Sequence, residues 1–265
     1  MNGAFSVRIE GVGIWAGPWR DWAAARDALC GNVEFDGASV SKPAPSLLAA
    51  TERRRAPESV LLAIEAAQQA CGMAQRDASE LPHVFACAYG DLSINDYLCA
   101  TLARAPLEVS PIKFHNSVHN APAGYWSIAT GCRASSSAIS AGDATFATGL
   151  LEAALLAHCE SRPVLLVAYD VAAVGALRDV IDCEAAFAVA FVFAPVASAH
   201  NGLADLRITL RSDILAPEAD VPHAWCGRNP AAHSLPLLEA LARRQRTVLN
   251  SRIAPATTLI METAF

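Results

Sequence analysis

Polar side chains gather in one part of an otherwise oily chain. Phe114, His115, Asn116, Ser117, His119 and Asn120 run into Pro122, Gly124, Tyr125 and Trp126, and Ser135, Ser136, Ser137 and Ser140 run into Gly142 and Asp143. One reading makes a serine of 135–137 the nucleophile, His115 or His119 its base and Asp143 the orienting carboxylate, which would give a free-standing hydrolase or acyltransferase. Nothing matches Gly-x-Ser-x-Gly, and a triple serine before a strand is usually turn and edge chemistry. A second reading pairs His115 with His119, four apart on one helical face, as metal ligands. The glutamate of His-Glu-x-x-His is missing, and no metal is assigned. A third starts from the backbone. A strand turning through Gly142-Asp143 into a long helix sets its turn residue beside unpaired N–H groups, which favour negative charge. A nucleophile can stand in such an elbow, but for Asp143 itself capping of the helix is the expected role. Cys132 reads as a packed thiol.

These residues need a scaffold, and the pattern of the chain supplies one. A half-buried strand is expected over 5–15 and helices over 22–29 and 59–74, with a loop over 32–45 between them. A short apolar strand, 83–90, precedes helices at 95–104 and 125–130. A strand over 138–141 then turns into a long Ala/Leu-rich helix, 144–159. Strands follow at 164–170, 185–194 and 206–210, then a helix over 235–245 and a last strand over 257–263. This order predicts a layered α/β fold with a mixed sheet in a single domain, 1–265. With 265 residues, 53% of them hydrophobic, the chain can bury a large core. The 20 Lys+Arg against 26 Asp+Glu leave a net charge of −6 and no basic face, so no nucleic-acid partner is expected. The oiliest stretch, 185–199, contains Pro195 and Ser198 and is too short to span a bilayer. The first ten residues lack the pattern of a secretion signal, which predicts a cytoplasmic protein. Eight scattered cysteines without a Cys-x-x-Cys pair read as reduced thiols.

The segment Ala121-Pro122-Ala123-Gly124, then Gly131, then Ala138-Ile139-Ser140-Ala141-Gly142-Asp143-Ala144-Thr145 resembles the β-ketoacyl-acyl-carrier-protein synthases of the thiolase superfamily. In that family a Pro-Ala-Gly helix leads to a glycine turn, a short strand and a cysteine that opens a buried helix. Asp143 falls where the family has that cysteine. A carboxylate is a poor acyl acceptor there, because its anhydride hydrolyses readily, so no activity of the chain alone is expected. The likeness covers residues 1–215, most strongly 114–156. His223 and His233 lie in sequence that matches none of the family's histidine loops.

The resemblance implies a thiolase-like α-β-α fold, truncated relative to full synthases with an abbreviated C-terminal half. The short ketosynthase-like proteins of aryl polyene pathways are the nearest pattern, and they look like chain-length factors. Such a subunit has lost its nucleophile and forms a heterodimer with a complete β-ketoacyl synthase in type II polyketide or fatty-acid-like biosynthesis. The resemblance implies that the strand Ser136, Ser137, Ala138, Ile139, Ser140 pairs with the partner's strand. It also sets Phe114, His115, Asn116, His119, Tyr125 and Trp126 along the acyl tunnel and seam. Arg53, Arg54 and Arg55 are a solvated face or a docking patch for acidic acyl carrier protein. No cofactor is implied. A homodimeric protein that binds acyl groups or carriers without chemistry is the remaining alternative.

Overall fold

Strand β1, Ala4–Ala16, is the spine of the molecule and carries an extra residue that keeps its oily side in register. Val7 and Ile9 face one core at odd positions, whereas Val12, Ile14 and Ala16 face the same core at even positions. A bulge between Ile9 and Gly11 makes the switch, so the alternation expected of a half-buried strand changes phase midway. The computed structural model describes residues 3–32, 42–212, 226 and 228–265.

Among the described residues eight strands form one mixed sheet in the order β3-β2-β4-β5-β1-β6-β8-β7. Three are parallel: β2 (His83–Ala86), β3 (Ser136–Ile139) and β4 (Val164–Asp170). The remaining pairings are antiparallel and involve β1, β5 (Phe187–Pro195), β6 (Ala204–Arg211), β7 (Val248–Ala254) and β8 (Thr257–Ala264). Strand β7, at the far edge from β3, is interrupted by a bulge between Arg252 and Ala254. Helices cover both faces, as a buried parallel segment requires. On one face lie α1 (Trp22–Leu29), α7 (Thr145–Cys159) and α8 (Leu235–Ala242). On the other lie α3 (Glu58–Ala74), α6 (Ala121–Thr130) and the start of α4 (Leu92–Arg104). The α-β-α layering and the mixed sheet expected from the sequence are both present.

Several boundaries differ from expectation for physical reasons. Helix α4 starts at Leu92 rather than 95, because the Asp91 carboxylate accepts the Ile94 N–H at 2.9 Å and caps it. Helix α6 starts at Ala121 rather than 125, since Pro122 fits the first turn. Strand β3 spans Ser136–Ile139 rather than 138–141, and β2 stops at Ala86 rather than 90. The short α2, Ala50–Arg55, was not anticipated; Arg53, Arg54 and Arg55 form its last turn and directly precede α3. Strand β7 was also missed. Residues 33–41 of the expected loop, and His223, lie outside the described residues. His233 falls in a 3-10 turn, Pro230–Ser234. No helix among the described residues is long and apolar enough to cross a membrane.

Candidate functional site

The C-terminal ends of β3, β2 and β4 meet at one end of the sheet, where open α/β sheets place their chemistry. After β3 the chain turns at Gly142, whose φ of 56° lies in the left-handed region open to glycine, passes through the 3-10 turn Gly142–Ala144 and enters α7. Asp143 is exposed at this elbow. It is not the helix cap expected from the sequence. The 3-10 turn moves the start of α7 to Thr145, with Ala144 at the cap position, and no side chain makes the capping bond. The Thr145 hydroxyl takes over locally, accepting the Ala141 N–H at 2.9 Å and donating to Gly142 O at 2.6 Å.

Beside the elbow, the turn that follows β2 is tied down on every side. The Asp170 carboxylate, fully buried at the end of β4, accepts the Ala88 N–H at 3.0 Å, the Tyr89 N–H at 3.1 Å and the Cys87 thiol at 3.1 Å. The carbonyls of the same turn are also engaged. His119 Nε2 donates to Cys87 O at 2.7 Å, Ser140 Oγ to Ala88 O at 2.9 Å and Asn95 Nδ2 to Tyr89 O at 3.4 Å. Asn229 Nδ2 bridges Asp170 O at 3.0 Å and Ala185 O at 2.8 Å, locking the end of β4 to the entry of β5. Sequence reading missed Asp170, Cys87 and Asn229. An Asp closing an apolar run signals only a strand end, and its partners are backbone groups some eighty positions away.

Burial pushes the Asp170 carboxyl up to about 6, although the Cys87 thiol, the two N–H groups and nearby His119 favour its charged form. Burial, with the charge of Asp170, drives the Cys87 thiol well above its ordinary value, so it is a neutral donor and no nucleophile. Burial also raises the Tyr89 hydroxyl, with smaller contributions from the carboxylates of Asp143 and Asp170.

A pH dependence follows. The folded carboxyl of Asp170 titrates near 6 and the unfolded one near about 3.9, so the folded state holds the proton over a wider range. Stability from this group is fully present below about pH 4 and is lost as pH rises through about 6. Measured by urea unfolding, wild type should lose about 3 kcal/mol relative to Asp170→Asn between about pH 4 and about pH 7. Parallel curves for the two proteins would contradict the assignment.

The other predicted residues separate into three places. His115 and Tyr125 line a groove of about 470 Å³ with Val118, Ile128 and Arg55, between α2 and α6. Phe114 is 64% exposed beside it, at the end of α5 (Pro111–His115). Asn116 is buried and accepts the Tyr125 hydroxyl at 3.2 Å. Trp126 is sealed in the core at 1% exposure, its indole N–H without a partner among the described residues. His115 and His119 do not share a helical face, because α5 ends at His115 while His119 turns inward to Cys87 O. Among the described residues no serine of the run pairs with a histidine: Ser137 Oγ donates to Glu152 at 3.2 Å. The arginines also part, since Arg53 donates to Pro45 O at 3.0 Å while Arg54 and Arg55 stay exposed. Among the described residues strand β3 has β2 on one side only, and its other edge has no strand.

The family described as beta-ketoacyl synthase, N-terminal domain, matches residues 19–254. No curated protein matches the chain in sequence. Among solved structures, the ketosynthase ApeO in complex with its chain length factor ApeC from Xenorhabdus doucetiae matches with a TM-score of 0.71 and 21% identity, over 97% of this chain and 99% of that one. The ishigamide ketosynthase/chain length factor gives a TM-score of 0.75 at 12% identity, over 98% and 99%. A beta-ketoacyl synthase from Burkholderia phymatum STM815 gives 0.71 at 10% identity, over 97% and 98%. At these identities the likeness establishes a shared fold.

Proposed function

The chain belongs to the β-ketoacyl synthase N-terminal-domain family, and we propose that it acts as a non-catalytic, chain-length-factor-type subunit, joined to a complete β-ketoacyl synthase. The observation that carries this reading is the elbow. The strained position is Gly142, without a side chain, and the exposed residue after it is Asp143. Condensation needs a thiolate that can attack a thioester and later leave. Cys87, in the neighbouring turn, is buried, protonated and committed to Asp170.

The open edge of β3 supports an assembly role. Its unpaired N–H and C=O groups would be satisfied by a strand of the synthase, which continues the sheet across the seam. Exposed Phe114 and the groove lined by His115 and Tyr125 then border the partner's acyl tunnel. Arg54 and Arg55, exposed on α2 beside that groove, provide positive charge for an acidic carrier protein.

The reading is tested by co-expression with a complete synthase. The two chains should co-purify, and elongation of carrier-bound acyl groups should require both. Intact-mass analysis of the isolated chain incubated with an acyl thioester should show no covalent adduct. An acylated chain, or malonyl turnover without the partner, would refute it.

A further inference from the structure

The segment that leads to Phe114 has little to hold it. From Leu102 to His115 no residue is buried, Leu107 stands fully exposed in the 3-10 turn Pro106–Glu108, and α5 is five residues long. So short a helix does not stand alone in water, and its placement depends on ties to the rest of the molecule. Among the described residues, the hydrogen bonds and ring contacts that reach from 106–115 to another helix all end on Tyr97 of α4.

Tyr97 uses both its hydroxyl and its ring. The hydroxyl accepts the Ser110 N–H at 3.0 Å and donates to Glu108 O at 3.4 Å, which pins the entry of α5. The ring carries the Lys113 ammonium, whose Nζ lies 3.7 Å from the centroid, where the ring quadrupole attracts a cation. Lys113 makes no ion pair with any described residue, so the ring is its partner. Ser110 closes the turn by accepting the Lys113 N–H at 3.5 Å and, on its carbonyl, the Phe114 N–H at 2.9 Å. Successive helical residues point about 100° apart, so seating Lys113 on α4 turns the next side chain, Phe114, outward. Its 64% exposure fits that arrangement.

We infer that Tyr97 and Lys113 are positioning residues, a clamp that holds α5 on α4 and thereby sets where the Phe114 ring meets the acyl chain. The inference rests on the reading of Phe114 as a wall of the partner's tunnel and names the pair that aims it.

Two measurements test it. In the full chain, a cation–π contact at an exposed site changes the ratio of docked to open α5 by about 2- to 5-fold. Amide hydrogen exchange over 110–116 should therefore lose about 2- to 5-fold of its protection in Lys113→Met, and more in Tyr97→Leu, which also loses both hydroxyl bonds. Lys113→Arg keeps a cation over the ring and should stay within about 2-fold of wild type. The urea midpoints of both Lys113 variants should not move, because the segment buries no side chain. In the complex with a synthase, Lys113→Met should shift the product distribution in the same direction as Phe114→Ala, and Lys113→Arg should leave it at the wild-type position. On the Phe114→Ala background Lys113→Met should change nothing further, since the clamp acts only through that ring. Unchanged exchange in Lys113→Met, an unshifted product where Phe114→Ala shifts it, or a shift that persists on the Phe114→Ala background would each overturn the inference. A distribution that Phe114→Ala leaves unaltered sinks the tunnel reading, and the exchange rates still decide the clamp.

Discussion

Replacing Gly13 with alanine is expected to lower the unfolding free energy by about 3 kcal/mol or more, while Gly72→Ala raises it by about 0.5–1 kcal/mol. Helix α3 crosses β1 on the small side chains of Ala66, Ala70 and Ala74, against Gly11 and Gly13. A methyl group on Gly13 would collide with the Ala66 carbonyl and stand 2.8 Å from the Ala70 nitrogen. These are backbone atoms of a buried helix and cannot swing aside, so the helix must lift from the sheet. Gly72 belongs to the same helix but points to open space, with nothing within 4 Å of an added methyl, so there alanine brings only its better helix propensity. Urea midpoints of the two variants measure both signs. A Gly13→Ala protein as stable as wild type would contradict the packing of α3 on β1.

Trp126→Ala should destabilise the protein by about 3–5 kcal/mol, whereas Phe114→Ala should change stability by less than about 0.5 kcal/mol. Both residues were expected along the tunnel, and the fold separates them. Trp126 is buried in the core that α3, α6 and one face of the sheet share, while Phe114 is exposed at the tip of α5. Removing the indole leaves a large cavity, so any change in product made by Trp126→Ala is confounded with unfolding. Phe114→Ala in the assembled complex is the informative variant. On the proposed function, removing the exposed ring lengthens the product distribution. Thermal unfolding separates the pair first, and product profiling of the Phe114 variant follows. An unaltered profile would remove Phe114 from the tunnel.

Continuous apolar runs made β4 and β5 legible, because strands buried on both faces need no alternation. The stretch that became α7 was legible from its length and its content of Ala and Leu, which favour a buried helix. The elbow was visible in the Gly142-Asp143 pair, but the intervening 3-10 turn was not, and it removed Asp143 from its expected capping role. Strand β7 was illegible because Asn250, Ser251 and Arg252 break its pattern; pairing with β8 holds it in place. The anchoring of residues 87–89 was hidden more deeply. Asp170, His119, Ser140 and Asn95 arrive from four separate segments, and each alone looks like an ordinary polar residue. Sequence spacing reports neighbours along the chain, whereas that site is made of neighbours across the sheet.

The two ends of the sheet are unlike, and the difference bears on whether copies of this protein can string together. Head-to-tail fibre growth would require β3 of one molecule to dock on β7 of the next, repeating without limit. The bulge between Arg252 and Ala254 breaks the even ladder of donors and acceptors at β7, and exposed Arg252 adds a charge there. Strand β3 remains the receptive end, and a strand of the synthase laid along it uses it up. Even at the crowding of overproduction, association should stop at pairs instead of running on into filaments.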